Sequence, residues 1–296
     1  MIRMMDARAS GLDAVVRELA RPPERVDDVV RDTVDTIVAD VRRRGDAAVL
    51  EHTARLDRFQ VATTRALAIG PDELSAAEAA LAPDVRAALA YAAERIERFH
   101  AASLPKSWRM TDEHGSTLGQ DVRPLQRVGV YVPGGRAAYP STVLMTAIPA
   151  RVAGVQEIVL VTPPGGDGSV NPVVLAAARV AGVTEGWRIG GAQAIAALAY
   201  GTATLRRVDK IVGPGNIYVA LAKAKVFGEV GIDMVAGPSE VVVVADAAAD
   251  PAWIAADLLA QAEHDPMARA VLITDAPALV PRVAAASRVA TVTRAP

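Results

Sequence analysis

After Gly115 the chain alternates short apolar runs with segments of helical length, and this alternation restricts the fold more than any other feature. The apolar runs are Val128–Val132, Ile158–Val161, Trp187–Ile189, Val208–Val212, Ile232–Val235, Val241–Ala245 and Ala270–Thr274. The helical segments between them are Ser141–Ala153, Pro172–Ala181, Ala192–Tyr200, Ile217–Phe227 and Pro251–His264. Because parallel strands need crossover connections, the alternation predicts an α/β protein with Rossmann-like, doubly wound parallel sheets.

The first hundred residues show a different, mainly helical pattern. Apolar residues recur at three- and four-residue spacing from Glu24 to Arg44, and shorter helical patterns follow at Asp46–Leu56, Pro71–Leu81 and Pro83–Ala102. The segment AGPSE (236–240) separates two apolar runs and is too short for a helix, so it is the expected domain crossing. We therefore expect a helical region at residues 1–127 packing with residues 239–296, a Rossmann-like domain at residues 128–238, and the start of a second at residues 239–296.

Charge and residue usage exclude several classes of function. The 296 residues include 32 basic and 34 acidic side chains and 4% aromatic residues, so the chain lacks the basic stripe and stacking platforms of a nucleic-acid-binding protein. It has no cysteine, which excludes disulfides, thiolate catalysis and thiolate zinc sites. No stretch approaches the ~20 apolar residues of a membrane span. We expect a cytoplasmic protein that acts on a small molecule.

Five turns rich in glycine or proline follow predicted strands. They read VPGGR (132–136), TPPGG (162–166), IGGAQ (189–193), GPGN (213–216) and AGPS (236–239). Ligands of open α/β sheets bind outside the carboxyl ends of the strands, where glycine lets backbone N–H groups approach a phosphate. Each turn taken alone is equally consistent with simple punctuation of the chain. None is a GxGxxG dinucleotide fingerprint.

A second candidate site is the segment DLLAQAEHD (257–265). On a helix, Gln261 and His264 are three residues apart and share a face, where an amide oxygen and an imidazole could hold one side of a zinc ion. The alternative is that His264 is a solvated residue near a helix carboxyl terminus. The other histidines, His52, His100 and His114, are expected at the surface.

Several long segments resemble the signature segments of the L-histidinol dehydrogenase family. The resemblance extends from about Arg25 to Thr274. Its segments are YVPGGRAAYPSTVLMTAIPARVAGV (131–155), GGAQAIAALAYGT (190–202), DKIVGPGNIYVALAK (209–223), VAGPSEVVVVAD (235–246) and DLLAQAEHDP (257–266). Colinear segments of this length are more specific than any short motif.

The resemblance implies an enzyme and a set of site residues. Members of this family are zinc-dependent homodimers that use two NAD molecules to oxidise L-histidinol, through the aldehyde, to L-histidine, the last step of histidine biosynthesis. Tyr131, Gln193 and Asn216 match positions that contact NAD, which places NAD on the domain of residues 128–238. Ser239 matches a substrate contact, and Gln261 and His264 match two zinc ligands that also line the substrate site.

The family's chain continues beyond the last residue of this one. That continuation carries a Glu-His pair that does the acid and base chemistry, the remaining zinc ligands and a small domain, so no catalytic residue is assigned here. We therefore expect a truncated enzyme that is inactive by itself and dimeric in its full-length form. Two alternatives stay open: a related dehydrogenase acting on another small alcohol, such as a sulfonated diol, and a non-catalytic nucleotide-binding remnant.

Overall fold

The computed structural model describes residues 3–20, 28–134, 138–235, 240–263 and 268–293. The chain divides into two compact units, residues 27–236 and residues 1–26 with 237–296. Within the described ranges, no helix has both the length and the apolar character needed to cross a membrane.

The elements alternate as the sequence pattern predicts. The strands are β1 (Ala68–Ile69), β2 (Trp108–Thr111), β3 (Thr117–Gln120), β4 (Arg127–Tyr131), β5 (Glu157–Thr162), β6 (Glu185–Arg188), β7 (Lys210–Val212), β8 (Gly231–Ile232), β9 (Glu240–Ala245) and β10 (Arg269–Thr274). The α-helices are α1 (Ala7–Ser10), α2 (Leu12–Leu19), α3 (Asp28–Arg44), α4 (Asp46–His52), α5 (Pro71–Ala79), α6 (Pro83–Ala102), α7 (Pro140–Val152), α8 (Pro172–Ala181), α9 (Gly191–Tyr200), α10 (Ile217–Val226), α11 (Pro251–Ala262) and α12 (Leu279–Thr293). A π-helical turn (Thr53–Asp57) and a 3₁₀ turn (Thr64–Leu67) follow α4. The predicted α/β class with parallel sheets is confirmed.

The sheet of the larger unit has the strand order β1–β6–β5–β4–β7–β8. Strands β4 to β8 are parallel to their neighbours, and β1 pairs antiparallel with β6 at the edge. The chain moves outward from β4 through β5 to β6 and then returns to the other side of β4 to form β7. The order therefore reverses between β4 and β7, and such a reversal is the place where open α/β sheets bind ligands.

Helices cover both faces of this sheet. Val128 and Val130 of β4 belong to the core beneath α7 and α8, whereas Tyr131 at the end of the same strand belongs to the core beneath α9. This alternation follows from the two-residue period of side chains along a strand. The side chains of α9 from Ala192 to Ala199 are all buried, which explains why its sequence is apolar on every face.

Helices α3, α5 and α6 form a further layer outside the helices that flank the sheet. Helix α3 packs on α9 and α10, α5 packs on α8, and α6 packs on α7. Residues 28–102 therefore belong to the same compact unit as the sheet. Their contribution to the core is large: Val34, Ile37, Val38 and Val41 of α3 are almost fully buried.

The smaller unit contains a β–α–β arrangement followed by a helix. Strands β9 and β10 pair in parallel, with Glu240 opposite Arg269, and α11 connects them. Ile254, Ala255, Leu279 and Val283 form its core against one face of the pair. The side chains of Val242, Val244 and Ile273 are exposed, so the strands present an apolar surface to solvent.

His52 was expected at the surface, and this expectation is wrong. Its side chain is buried, with Nε2 at 3.1 Å from Asp40 Oδ2 of α3. The Arg55 guanidinium donates to His52 Nδ1 at 3.0 Å. Because Nδ1 accepts, the proton of the neutral ring lies on Nε2 and is donated to Asp40. The helical spacing that suggested an exposed position did not reveal that α4 folds back against α3.

We expect the acid sensitivity of the fold to depend on His52. Burial lowers the pKa of His52 below its ordinary value, although Asp40 and Glu51 oppose this shift, and Arg55 adds to it. The folded state therefore binds fewer protons than the unfolded state, and stability is lost as the pH falls through the unfolded pKa of about 6.5. Urea unfolding above and below pH about 6.5 measures this effect. On acidification, the unfolding free energy should fall less for His52→Gln than for the wild type. Equal pH dependence of the two proteins would contradict this.

Candidate functional site

The loop that follows β7 approaches the backbone at the end of β4, at the point where the strand order reverses. Gly213 has a φ of +113°, and a Cβ at this residue would lie 2.1 Å from the carbonyl oxygen of Tyr131. A side chain is excluded by the backbone conformation and by this approach. The glycine of the GPGN segment therefore allows the backbones after β7 and at the end of β4 to approach closely.

An ion pair between a buried lysine and an exposed aspartate holds Gly213 from both sides. The Gly213 N–H donates to Asp233 Oδ2 at 2.8 Å, and Lys223 Nζ donates to the Gly213 carbonyl at 2.9 Å. Lys223 also pairs with Asp233 and is 2% exposed. Sequence analysis missed both residues. The signal that could have found Lys223 is that it interrupts the apolar sequence of α10, which carries no charge from Ile217 to Ala222.

Asn216 caps helix α10 at the same point. Its Oδ1 accepts from the N–H groups of Tyr218 at 3.1 Å and Val219 at 3.2 Å. Asn216 is exposed, as are Ile217 and Tyr218. The positive end of the α10 dipole thus reaches solvent beside the reversal point, where it favours an anionic group.

Gln193 and Tyr131 meet at the turn between β6 and α9. The Gly191 N–H donates to the Tyr131 hydroxyl at 3.2 Å, and burial raises the pKa of Tyr131 to about 12. Gln193 is fully buried, and its Oε1 has no hydrogen-bond partner among the described residues. Since buried polar atoms are normally paired, this amide oxygen has the capacity to accept from a ligand or water.

Asp57 also lies at this turn, and sequence analysis missed it. Its Oδ2 accepts from the Gly190 N–H at 3.2 Å and from Gln193 Nε2 at 3.1 Å. Burial raises the pKa of Asp57, while these two hydrogen bonds act in the opposite direction. No local spacing could have found this residue, because it is separated from Gln193 by 136 positions.

Pro163 brings the turns after β4, β5 and β6 into contact. A Cβ on Gly134 would lie 2.6 Å from Pro163 Cγ, and a Cβ on Gly190 would lie 2.5 Å from Pro163 Cβ. The glycines of VPGGR and IGGAQ therefore permit close packing of neighbouring turns along one edge of the sheet. The AGPS turn lies outside the described residues.

The predicted zinc and substrate positions fall in the smaller unit. Gln261 lies in the last turn of α11 and is partly buried. Ser239 and His264 lie outside the described residues. Within the parts of the chain that the structure describes, no three His, Cys, Asp or Glu side chains cluster closely enough to hold a metal ion.

Residues at the reversal point and at the turn after β6 fit a nucleotide cofactor. They supply an exposed helix amino terminus at Asn216, a backbone surface without side chains at Gly213, and a buried acceptor without a partner at Gln193 Oε1. The residues predicted to bind zinc do not make a complete zinc site. Gln261 and His264 make two ligands, fewer than the three protein ligands that a catalytic zinc ion takes.

Comparison with known proteins identifies relatives along almost the whole chain. The family model described as histidinol dehydrogenase matches residues 19–295. The histidinol dehydrogenase of Chromobacterium violaceum is 58% identical over 248 residues, which cover 83% of this chain and 57% of the relative. That of Rhodospirillum rubrum is 54% identical over 282 residues, covering 95% of this chain and 64% of the relative.

A solved structure agrees with these relatives. The crystal structure of histidinol dehydrogenase from Elizabethkingia anophelis superposes with a TM-score of 0.87 at 36% identity, covering 96% of this chain and 65% of that one. The chain thus spans less than two thirds of the length of these proteins. With the family model matched over residues 19–295, the chain belongs to the histidinol dehydrogenase family.

Proposed function

We propose that this chain supplies the NAD-binding part and one side of the substrate site of an L-histidinol dehydrogenase. The enzyme would oxidise L-histidinol through the aldehyde to L-histidine, in the cytoplasm and as a homodimer. The observation that carries the proposal is the family match over residues 19–295, together with the exposed α10 terminus at the reversal point of the sheet. NAD, when bound, accepts the hydride that leaves the alcohol carbon.

The three predicted NAD residues would act in different ways. Asn216 is exposed at the amino terminus of α10, so a pyrophosphate can approach its amide and the helix dipole. Gln193 would offer its amide oxygen to a donor on the cofactor. Tyr131 is almost fully buried and bonded to the Gly191 N–H, so its phenol would shape the wall of the cleft.

The substrate side of the proposal concerns the smaller unit. Ser239 would contact L-histidinol, and Gln261 and His264 would contribute to a zinc site. These two ligands do not complete such a site, so we derive no chemical step through zinc. The acid and base steps are likewise not assigned to residues of this chain.

Titration calorimetry with NAD tests the proposal directly. The unmodified chain should bind NAD saturably with one site per chain. The absence of saturable binding would overturn the proposed function. A heat of binding for NAD with none for adenosine would indicate that the pyrophosphate is recognised, as the position of α10 implies.

Two replacements of Asn216 separate capping from cofactor binding. Asp is as good a helix cap as Asn, so Asn216→Asp should keep the thermal midpoint but weaken NAD binding about tenfold, because it adds a negative charge beside the pyrophosphate. Asn216→Ala should instead lose about 1 kcal/mol of unfolding free energy through the lost cap. Unchanged NAD affinity in Asn216→Asp would place the pyrophosphate elsewhere.

A further inference from the structure

The π-helical turn after α4 carries a carboxylate to the start of a helix far away in sequence. This turn ends at Asp57, and the next residue, Arg58, has a left-handed backbone with φ of 57°. Non-glycine residues adopt this conformation uncommonly, and the end of a helix is one place where they do so. We propose that Asp57 is a positioning residue of the nucleotide site, a role that rests on the proposed NAD function.

Asp57 bonds to the residue at which α9 begins. The N-cap residue of α9 is Gly190, which has no side chain of its own to fix the start of the helix. Asp57 Oδ2 accepts from the Gly190 N–H at 3.2 Å, across 133 positions of sequence. The turn between β6 and α9 is therefore anchored by a residue of the amino-terminal helical layer.

The same carboxylate determines which way the Gln193 amide faces. An ionised carboxylate can accept hydrogen bonds but cannot donate them, so it selects the Nε2 end of the amide, which lies 3.1 Å from Asp57 Oδ2. The Oε1 end must then face the other way, against Gly191, where it has no partner among the described residues. Asp57 thus presents the amide oxygen of Gln193 as an acceptor for the cofactor.

Tyr131, the other buried side chain among the predicted NAD residues, adjoins the turn between β6 and α9. Tyr131 accepts from the N–H of Gly191, the residue next to Gly190. Two of the three predicted NAD residues therefore depend on the turn that Asp57 anchors. A shift of this turn would move both of them together.

The fold gains no stability from the Asp57 charge. Burial is the largest influence on its pKa and raises it above the ordinary value of 3.8, despite the two hydrogen bonds. The folded state therefore holds its proton more tightly than the unfolded state, and stability falls as the pH rises through the folded pKa. At neutral pH the charge is destabilising. Carboxylates whose pKa is raised by burial are typical of functional sites.

The test is to replace Asp57 with asparagine and measure both NAD affinity and thermal stability. Asp57→Asn removes the charge and offers the Gln193 amide a donor as well as an acceptor, so the amide is no longer held in one orientation. NAD affinity by calorimetry should fall about tenfold. The thermal midpoint at neutral pH should stay unchanged or rise.

Asp46→Asn is the matched control. Asp46 is another carboxylate that bonds to a distant segment, accepting from the Thr204 hydroxyl at 2.6 Å across 158 positions. Thr204 lies between α9 and β7, at the opposite edge of the sheet from the candidate site. Asp46→Asn should leave NAD affinity unchanged and should not raise the thermal midpoint.

The outcomes distinguish this role from the proposed function. If the unmodified chain does not bind NAD, the proposed function fails and the role of Asp57 fails with it. If the unmodified chain binds NAD and Asp57→Asn binds it equally well, the role of Asp57 alone is overturned. A lower thermal midpoint with unchanged affinity in Asp57→Asn would assign this carboxylate to folding and would also overturn the inference.

Discussion

Replacing Gly213 with alanine is expected to lower the unfolding free energy by about 3 kcal/mol and to abolish measurable NAD binding. A methyl group at this residue would lie 2.1 Å from the Tyr131 carbonyl oxygen, and both atoms belong to the backbone framework, so no side-chain rotation relieves the overlap. The loop must move away from β4, and the bonds from Gly213 to Asp233 and Lys223 move with it. Chemical denaturation and NAD calorimetry measure the two effects.

Gly228→Ala separates this overlap from the backbone conformation. Gly228 also has a positive φ, of +103°, but a Cβ there would have no neighbour within 4 Å. Alanine at this residue should lose about 1–2 kcal/mol through the unfavourable φ and leave NAD affinity unchanged. Equal losses of stability in the two variants would show that the contact with Tyr131 is not what requires glycine at 213.

Replacing Arg127 with leucine is expected to lower the unfolding free energy by about 3 kcal/mol. Arg127 begins β4 and is buried, and its guanidinium donates to Glu157 at 2.5 Å and Glu185 at 2.9 Å. These glutamates begin β5 and β6, so the guanidinium joins the amino ends of three adjacent strands. Leucine would leave Glu185 without its cation and would leave Glu157 with only the exposed Arg206. Urea denaturation measures the loss.

Arg206→Leu is the control for this second experiment. Arg206 pairs with the same Glu157, but its side chain is 69% exposed. An exposed pair contributes about 0–1 kcal/mol, so Arg206→Leu should change the unfolding free energy by less than about 1 kcal/mol. A loss in Arg206→Leu as large as that in Arg127→Leu would contradict the assignment of the stabilising role to the buried guanidinium.

Strand β6 illustrates why sequence patterns located the sheet but not every strand boundary. The apolar run predicts a strand at Trp187–Ile189, whereas the structure has it at Glu185–Arg188. The charges at its two ends are compensated by distant residues: Glu185 pairs with Arg127, and Arg188 pairs with Glu73. Charged residues lower the strand propensity of a segment in isolation. Tertiary partners reverse that preference.

In the candidate site, too, sequence patterns located some residues, whereas others depend on distant partners. Tyr131, Gln193 and Asn216 lie in or beside glycine-rich turns, so the turn pattern and the family resemblance both point to them. Asp57 and Asp233 carry no comparable signal. Each acts by accepting hydrogen bonds from a turn that lies elsewhere in the chain. His52 was misassigned for a related reason, since its burial depends on a partner in another helix.

The sequence by itself determined the fold class, the alternation of strands and helices after residue 127, and the edge of the sheet that carries the glycine-rich turns. These features depend on hydrophobic periodicity and on glycine and proline in turns, which are properties of neighbouring residues. The tertiary structure decided which charged side chains are buried and which turns they hold. A buried carboxylate or lysine is tolerated because of hydrogen bonds with residues that only the folded chain brings near, and no local pattern records those partners.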